Sequence, residues 1–423
     1  MTAAPSFHNR ELASLARQSY TADDIRVLHE ALRAHGTLDF VRLPSGLFPA
    51  SSAGESIESS GYGYVWVRDN VYVAYAHYVI GNSGVAAGVA RTLLEFFRRH
   101  RRRFDEVIAG NTGVAARPNV RFNGQDLNEL AERWPHAQND ALGYFLWLYS
   151  ELALNGAFEP SAEDLSTLLL FPPFFEAIRY WQDEDSGHWE EVRKVSASSI
   201  GTVVAGLQSL RRLMEARRMK GADSVAALAD RGRRTLSEIL PNECTQPAPQ
   251  QNRRYDAALL FLIYPLNVVD GPTAELLLHD TEQYLTGHVG IRRYLRDSYY
   301  APDFDRDYPE EKRTADHSAG TETRDVLIGE VGEEAQWCMF DPILSAYYGR
   351  RYEASRSEDD RALQVRHFNR ALAQITDLWQ CPELYYLQTI ESGVREFRPN
   401  THVPLLWTQA NLMIALETLR RTP

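Results

Sequence analysis

Cysteine is scarce in this chain of 423 residues: Cys244, Cys338 and Cys381 stand far apart. Thiols so few and so spaced make neither a disulfide framework nor a metal-ligand set. Long apolar runs are missing too. Nothing approaches the roughly 18 consecutive apolar residues of a membrane span. The first stretch, Met1 to Tyr20, is polar and mixed in charge, without the apolar segment of a secretion signal. Positive charge is in deficit, with a formal net charge of -12, which argues against nucleic acid or an anionic membrane as partner. The one basic run, Arg98-Arg99-His100-Arg101-Arg102-Arg103, reads as a solvated helix end. No GxGxxG follows a strand, and P-loop, HExxH and GxSxG motifs are absent. Nucleotide, zinc and serine-hydrolase chemistry therefore have no basis. The expectation is a cytoplasmic protein that uses neither metal nor cofactor.

Apolar and aromatic residues, by contrast, are plentiful at 44% and 11%, ample for a large core. Helical periods dominate. A helix is expected over residues 22–34, with Thr21 as cap and Gly36 as stop. The next follows Asp69 and ends at Gly81-Asn82; it is apolar nearly all round, which predicts burial on every side. Further helices are expected near 85–100, 138–152, 164–182 (interrupted by Pro172-Pro173), 198–215, 222–239, 255–263, 273–286, 333–348, 359–379 and 404–419. Long polar loops fall at 109–134, 183–195 and 287–328. About twelve helices, many in inner–outer pairs with long loops at alternate junctions, predict an all-α (α/α)6 barrel, one domain over residues 1–423. An α-solenoid would show a fixed repeat, and the loop lengths are too unequal for one. Loops gathered at one end of such a scaffold should build the pocket.

Period-2 alternation is rare, and its best instance is Gly61-Tyr62-Gly63-Tyr64-Val65-Trp66-Val67-Arg68-Asp69-Asn70. In an extended chain Tyr62, Tyr64, Trp66 and Arg68 would share one face, with Asp69 capping the helix that follows. Rings ending in an Arg-Asp pair suit a sugar, whose C–H faces pack on aromatics and whose hydroxyls meet charged groups; an aromatic core strand with one buried ion pair is the alternative. In the loop Asp183 to Arg193, Trp189 adjoins the paired carboxylates Glu190 and Glu191. Desolvation against the ring and repulsion between neighbours both raise a carboxyl pKa, which a general acid for a glycosidic oxygen needs. An acidic surface loop is the competing reading. Trp134 is a candidate stacking residue in a loop able to close over a ligand. Arg293 and its neighbours place guanidinium groups beside aromatics. Glu383 is an isolated carboxylate just after a helix, and Trp407 opens the last helix.

Taken together, these segments resemble glycoside hydrolase family 15, the glucoamylase-type enzymes, and more closely the glucoamylase-like domain of the phosphorylase kinase α and β subunits. The matching stretches are Ser45-Gly46-Leu47-Phe48-Pro49, Trp66-Val67-Arg68-Asp69-Asn70-Val71-Tyr72, Trp134 through Asp140, Gly187-His188-Trp189-Glu190-Glu191, Arg293-Tyr294 with Asp297, Pro382-Glu383-Leu384-Tyr385 and Pro404-Leu405-Leu406-Trp407. They fall in the family's order and cover most of the chain. The resemblance implies an exo-acting, anomer-inverting α-glucosidase working on α-glucosides or oligosaccharides. Glu190 then matches the general acid and Glu191 its substrate-binding neighbour. Glu383 matches the general base, although the sequence around it follows the kinase-subunit form. Arg68, Asp69 and Arg293 match residues that grip the terminal glucose. Tyr62, Trp66, Trp134, Trp189 and Trp407 match the lining. The likeness to kinase subunits implies an alternative, a protein that binds a glucan end or a protein partner and regulates without hydrolysis. A toroid-class sugar epimerase is weaker still, since no histidine sits in a comparable motif.

Overall fold

A computed structural model describes residues 5–52, 61–247, 252–307 and 332–422. Among these, helices alternate between an outer and an inner ring. The outer ring holds α1 (Ala22–Ala34), α3 (Ser83–Arg99), α5 (Phe171–Ala177), α7 (Ala222–Ile239), α9 (Gly271–Asp280) and α11 (Glu358–Ala373). The inner ring holds α2 (Val67–Val79), α4 (Asn139–Leu154), α6 (Ala197–Ala216), α8 (Leu260–Ile263), α10 (Phe340–Ser355) and α12 (Leu406–Arg421). Successive inner helices pack against one another, and α12 closes the ring against α2. This is the expected (α/α)6 barrel.

The rings sort by apolar width, as amphipathicity dictates. In α3 one stripe, Val89, Leu93, Phe96 and Phe97, is buried while Arg99 at its end is exposed. In α4 nearly every side chain is buried, from Asn139 through Ala153. The closest crossing, α4 on α6, needs glycine: a Cβ on Gly143 would stand 2.7 Å from the Thr202 backbone carbon, and one on Gly206 2.6 Å from the Gly143 carbonyl oxygen. At the outer surface Thr21 caps α1 as expected, in a reciprocal box with Asp24.

Several boundaries differ from expectation. Arg68 and Asp69 do not continue an extended face. The strand β1 is only Val65–Trp66, paired with β2 (Arg121–Phe122), and α2 begins at Val67 with Trp66 as its N-cap. Asp69 is therefore in the first turn of α2, not its cap. Pro172 and Pro173 start α5 rather than interrupting a long helix, because proline suits a first turn; a separate helix, Ala162–Leu168, precedes it. The helix expected from residue 333 starts at Phe340, because β3 (Gln336–Trp337) pairs with β4 (Leu384–Thr389), which in turn pairs with β5 (Arg395–Pro399). β3 lies in the stretch expected to be helix, and β4 and β5 lie between the last two expected helices, where no element is expected. The expected loop at 287–328 is described only to residue 307, where the short helix Phe304–Asp307 stands; the rest lies outside the described residues. The basic run is split between the end of α3 and the helix Arg102–Ile108, with Arg99, Arg101 and Arg102 paired at one-turn spacing with Glu95, Asp105 and Glu106, and Arg103 with Glu129 at 2.7 Å. Among the described residues no helix is long and apolar enough to cross a membrane.

Candidate active site

A cavity of about 110 Å³ opens where the inner helices begin. Its wall comes from residues at or just before helix N-termini: Trp66, Arg68 and Asp69 at α2, Trp134 and Pro135 before α4, His188 to Glu190 before α6, Trp337 and Met339 before α10, and Leu405 and Trp407 at α12. Ala50, Tyr62, Arg293, Tyr299 and Glu383 complete it. Two acids 193 positions apart in the chain (383 − 190) thus face one space. Tyr64 does not line it; its hydroxyl lies 3.5 Å from Glu132.

Glu190 follows a turn in which both Gly187 and Glu190 have positive φ, 58° and 55°. Its Oε1 accepts from the Trp66 indole Nε1 at 2.9 Å and the Gln138 Nε2 at 3.1 Å, with an Arg68 nitrogen 3.9 Å away. The Gln138 amide is a bridge, since its Oε1 accepts from Arg68 at 3.0 Å. Burial pushes the Glu190 carboxyl above its ordinary range, opposed by the charges of Arg68 and Arg121. The neighbouring Glu191 goes the other way. It faces Lys194 at 2.8 Å, Arg253 at 2.6 Å and the Tyr294 hydroxyl at 2.6 Å, and lines no part of this cavity. Burial alone would raise its carboxyl, but Arg253 and Lys194 together outweigh that and hold it well below the ordinary range. The pKa values of the two adjacent carboxyls are thereby pushed in opposite directions.

Glu383 is held differently. It stands just before β4, and its carbonyl accepts from the Cys338 backbone N–H at 3.0 Å. Its Oε1 accepts from the Tyr62 hydroxyl at 2.8 Å, and its Oε2 from Asn400 Nδ2 at 2.6 Å with His402 Nδ1 at 3.1 Å. The Tyr62 ring stacks on His402, centroids 3.6 Å apart and planes within 5°.

The floor is charged. Arg68 is buried and pairs with Asp140 at 3.1 Å, not with Asp69 as its neighbour in sequence suggested. Burial, then the charges of Glu190 and Glu383, push the Asp69 carboxyl up to about 7 against the pull of Arg68. Arg293 makes a bidentate pair with Asp297, at 2.6 and 2.8 Å, inside a box of Trp189, Tyr299 and Trp337 rings 4.7–5.1 Å from its guanidinium carbon. Trp189 is pinned by its indole N–H to Asp256 at 2.9 Å. The indole nitrogens of Trp134, Trp337 and Trp407 are buried without a hydrogen-bond partner. Rings, guanidinium groups and carboxylates around one small space fit a polyhydroxyl ligand. Among the described residues no group of His, Cys, Asp and Glu forms a metal site.

Of the residues singled out from sequence, Tyr62, Trp66, Arg68, Asp69, Trp134, Trp189, Glu190, Arg293, Glu383 and Trp407 share the cavity wall and Glu191 does not. Sequence reasoning missed Trp337, which it placed inside a helix, and His188, which was in a quoted motif without a part. It missed Asn400 and His402 altogether, and nothing in their local sequence distinguishes them.

Residues 36–409 match the family model described as glycosyl hydrolases, family 15. The chain is similar to a probable phosphorylase b kinase regulatory subunit alpha of Caenorhabditis elegans, 24% identical over 412 residues, 83% of this chain and 30% of that protein. It is similar also to the same-named protein of Drosophila melanogaster, 26% identical over 66% of this chain and 23% of that one. The chain thus spans less than a third of the length of these relatives. Among solved structures, a glycosidase variant superposes with a TM-score of 0.71 at 19% identity, covering 95% of this chain and 99% of that one. A glycosidase variant in complex with glucose gives 0.68 at 18%, covering 97% and 98%. The glucoamylase from Saccharomycopsis fibuligera gives 0.61 at 13%, covering 96% and 97%. At these identities the likeness is one of fold.

Proposed function

The chain belongs to glycosyl hydrolases family 15, and from that premise we propose that it is an exo-acting, anomer-inverting α-glucosidase that releases glucose from the non-reducing end of soluble α-glucosides. The observation that carries this reading is that Glu190 and Glu383 line one cavity together with Arg68, Asp69 and Arg293. Inversion needs one carboxyl to protonate the leaving oxygen and a second to activate water on the opposite face.

Glu190 is the acid. Its Oε1 accepts two N–H groups, which leaves Oε2 to carry the acidic proton, and burial raises the carboxyl's affinity for it. Glu383 is the base; both its oxygens are gripped, which fixes the carboxylate plane toward the water it deprotonates. Arg68, Asp69 and Arg293 hold the terminal glucose, and Tyr62, Trp66, Trp134, Trp189 and Trp407 pack on it. Glu191 acts from behind the wall, anchoring Lys194 and Arg253. The reading needs no metal or cofactor and takes the protein to work in the cytoplasm.

The test is a panel of maltose, isomaltose, trehalose and longer oligomers followed by proton NMR. β-Glucose as the first product supports both hydrolysis and inversion; α-glucose first removes the inverting assignment. A second reading, a glucan-binding regulatory protein with a protein partner, draws on the similarity to phosphorylase b kinase regulatory subunits. Silence across the panel with measurable glucan binding favours it.

A further inference from the structure

The clamp on Glu383 has no counterpart around Glu190. The acid is held through one oxygen by groups that line the cavity or border it. The other carboxylate is gripped from outside the cavity, by Asn400 and His402, which do not line it. Asn400 is placed by its backbone N–H on the Leu384 carbonyl at 3.1 Å, one residue from Glu383. This brings its amide within 2.6 Å of Oε2. His402 Nδ1 lies 3.1 Å from both that oxygen and the Asn400 Nδ2. Its ring also backs Tyr62, whose hydroxyl takes the other carboxylate oxygen. One imidazole thus ties the partners of both oxygens into a unit: edge to Oε2, face to the ring that serves Oε1. Three of the four members are nearly excluded from solvent, with Glu383, Asn400 and His402 at 4%, 3% and 6% exposure. A glutamate just before a strand can take several staggered rotamers unless packing selects one, and a misplaced base loses rate steeply.

We propose that Asn400 and His402 are positioning residues for the base, setting the carboxylate plane of Glu383 through Oε2 and through the Tyr62 stack. This rests on the reading of Glu383 as base. Neither residue touches the sugar, so their loss acts on turnover and not on binding.

The experiment compares four variants of the full chain on the best substrate of the panel. Glu383→Gln establishes the reading itself. His402→Phe keeps the stack on Tyr62 and removes the nitrogen. Asn400→Leu removes the amide. His402→Asn restores a donor where Nδ1 stood. The expected result is a fall in kcat of about ten- to a hundred-fold for His402→Phe and for Asn400→Leu, with KM within about two-fold of the parent, melting temperature within a few degrees, and partial recovery in His402→Asn, which restores the donor but not the ring behind Tyr62. If Glu383→Gln is inactive while His402→Phe and Asn400→Leu keep kcat, the positioning role is overturned and the base stands. A loss that raises KM equally, or of which His402→Asn recovers nothing relative to His402→Phe, overturns it too, as general disruption. Should Glu383→Gln retain activity, or the parent hydrolyse nothing, the base reading falls and takes this inference with it.

Discussion

The two ends of the cavity hold the same side chain in unlike ways. Glu190 sits in a tight loop at the entry to α6, a fifth of its side chain open, both its donors on one oxygen. Glu383 sits just before β4, the central strand of its sheet, closed off, with donors on both oxygens. The contrast teaches that chemical identity is not role. A carboxyl desolvated with one oxygen left free is built to carry a proton; one gripped through both oxygens is built to stay oriented.

The largest expected effect breaks both ends at once. Glu190→Gln and Glu383→Gln should each lower glucose release by at least about 10²–10⁴-fold while titration calorimetry still detects glucose binding. Retained turnover in either variant would sink its assigned role. Next is the floor between them. Arg293→Met strands the buried Asp297 carboxylate and should cost about 3–5 kcal/mol, read as a lower urea midpoint. An unchanged midpoint means the pair contributes little to folding.

Asp69 sharpens the comparison through pH. Its folded carboxyl is raised from an ordinary value of 3.8 to about 7. Between these values the folded state holds a proton that the unfolded state has lost. This group's contribution is therefore full below about pH 4 and lost as pH rises to about 7. Asp69→Asn should flatten that decline, giving on the order of 1 kcal/mol or more at pH 7 relative to the parent. Parallel stability–pH curves for the two proteins contradict the argument. The smallest effect concerns the acid's holder. Trp66→Phe removes a donor that favours the ionised Glu190, so the alkaline limb of the pH–rate profile should move upward; a downward move contradicts the assignment of Glu190 as acid.

Which parts of this were legible beforehand follows the range of the forces involved. The wide apolar face of α2 and the cap at Thr21 are local patterns, and they read correctly. The Trp66-to-Asn70 and Trp189-to-Glu191 stretches led to residues that do meet in the cavity. The reading of 61–70 as one extended face failed after Trp66, because helix α2 starts at Val67 and helical period replaces alternation from there. Glu191 is expected to bind substrate beside Glu190, yet it turns away from the cavity to Arg253, 62 residues away. Asn400 and His402 gain their meaning only from the register that sets Tyr385 beside Pro399, and a shift of one residue there would turn the other face to Glu383.

The sequence by itself determined the helical class, the paired inner and outer rings and the residues able to do acid–base chemistry, because apolar period and side-chain chemistry are carried by neighbours along the chain. Tertiary structure alone decided which glutamate's pKa is pushed up and which down, which arginine meets which aspartate, and what holds Glu383. Those outcomes depend on burial and on charges within a few ångströms, brought there by closing a ring of helices whose members are far apart in the chain.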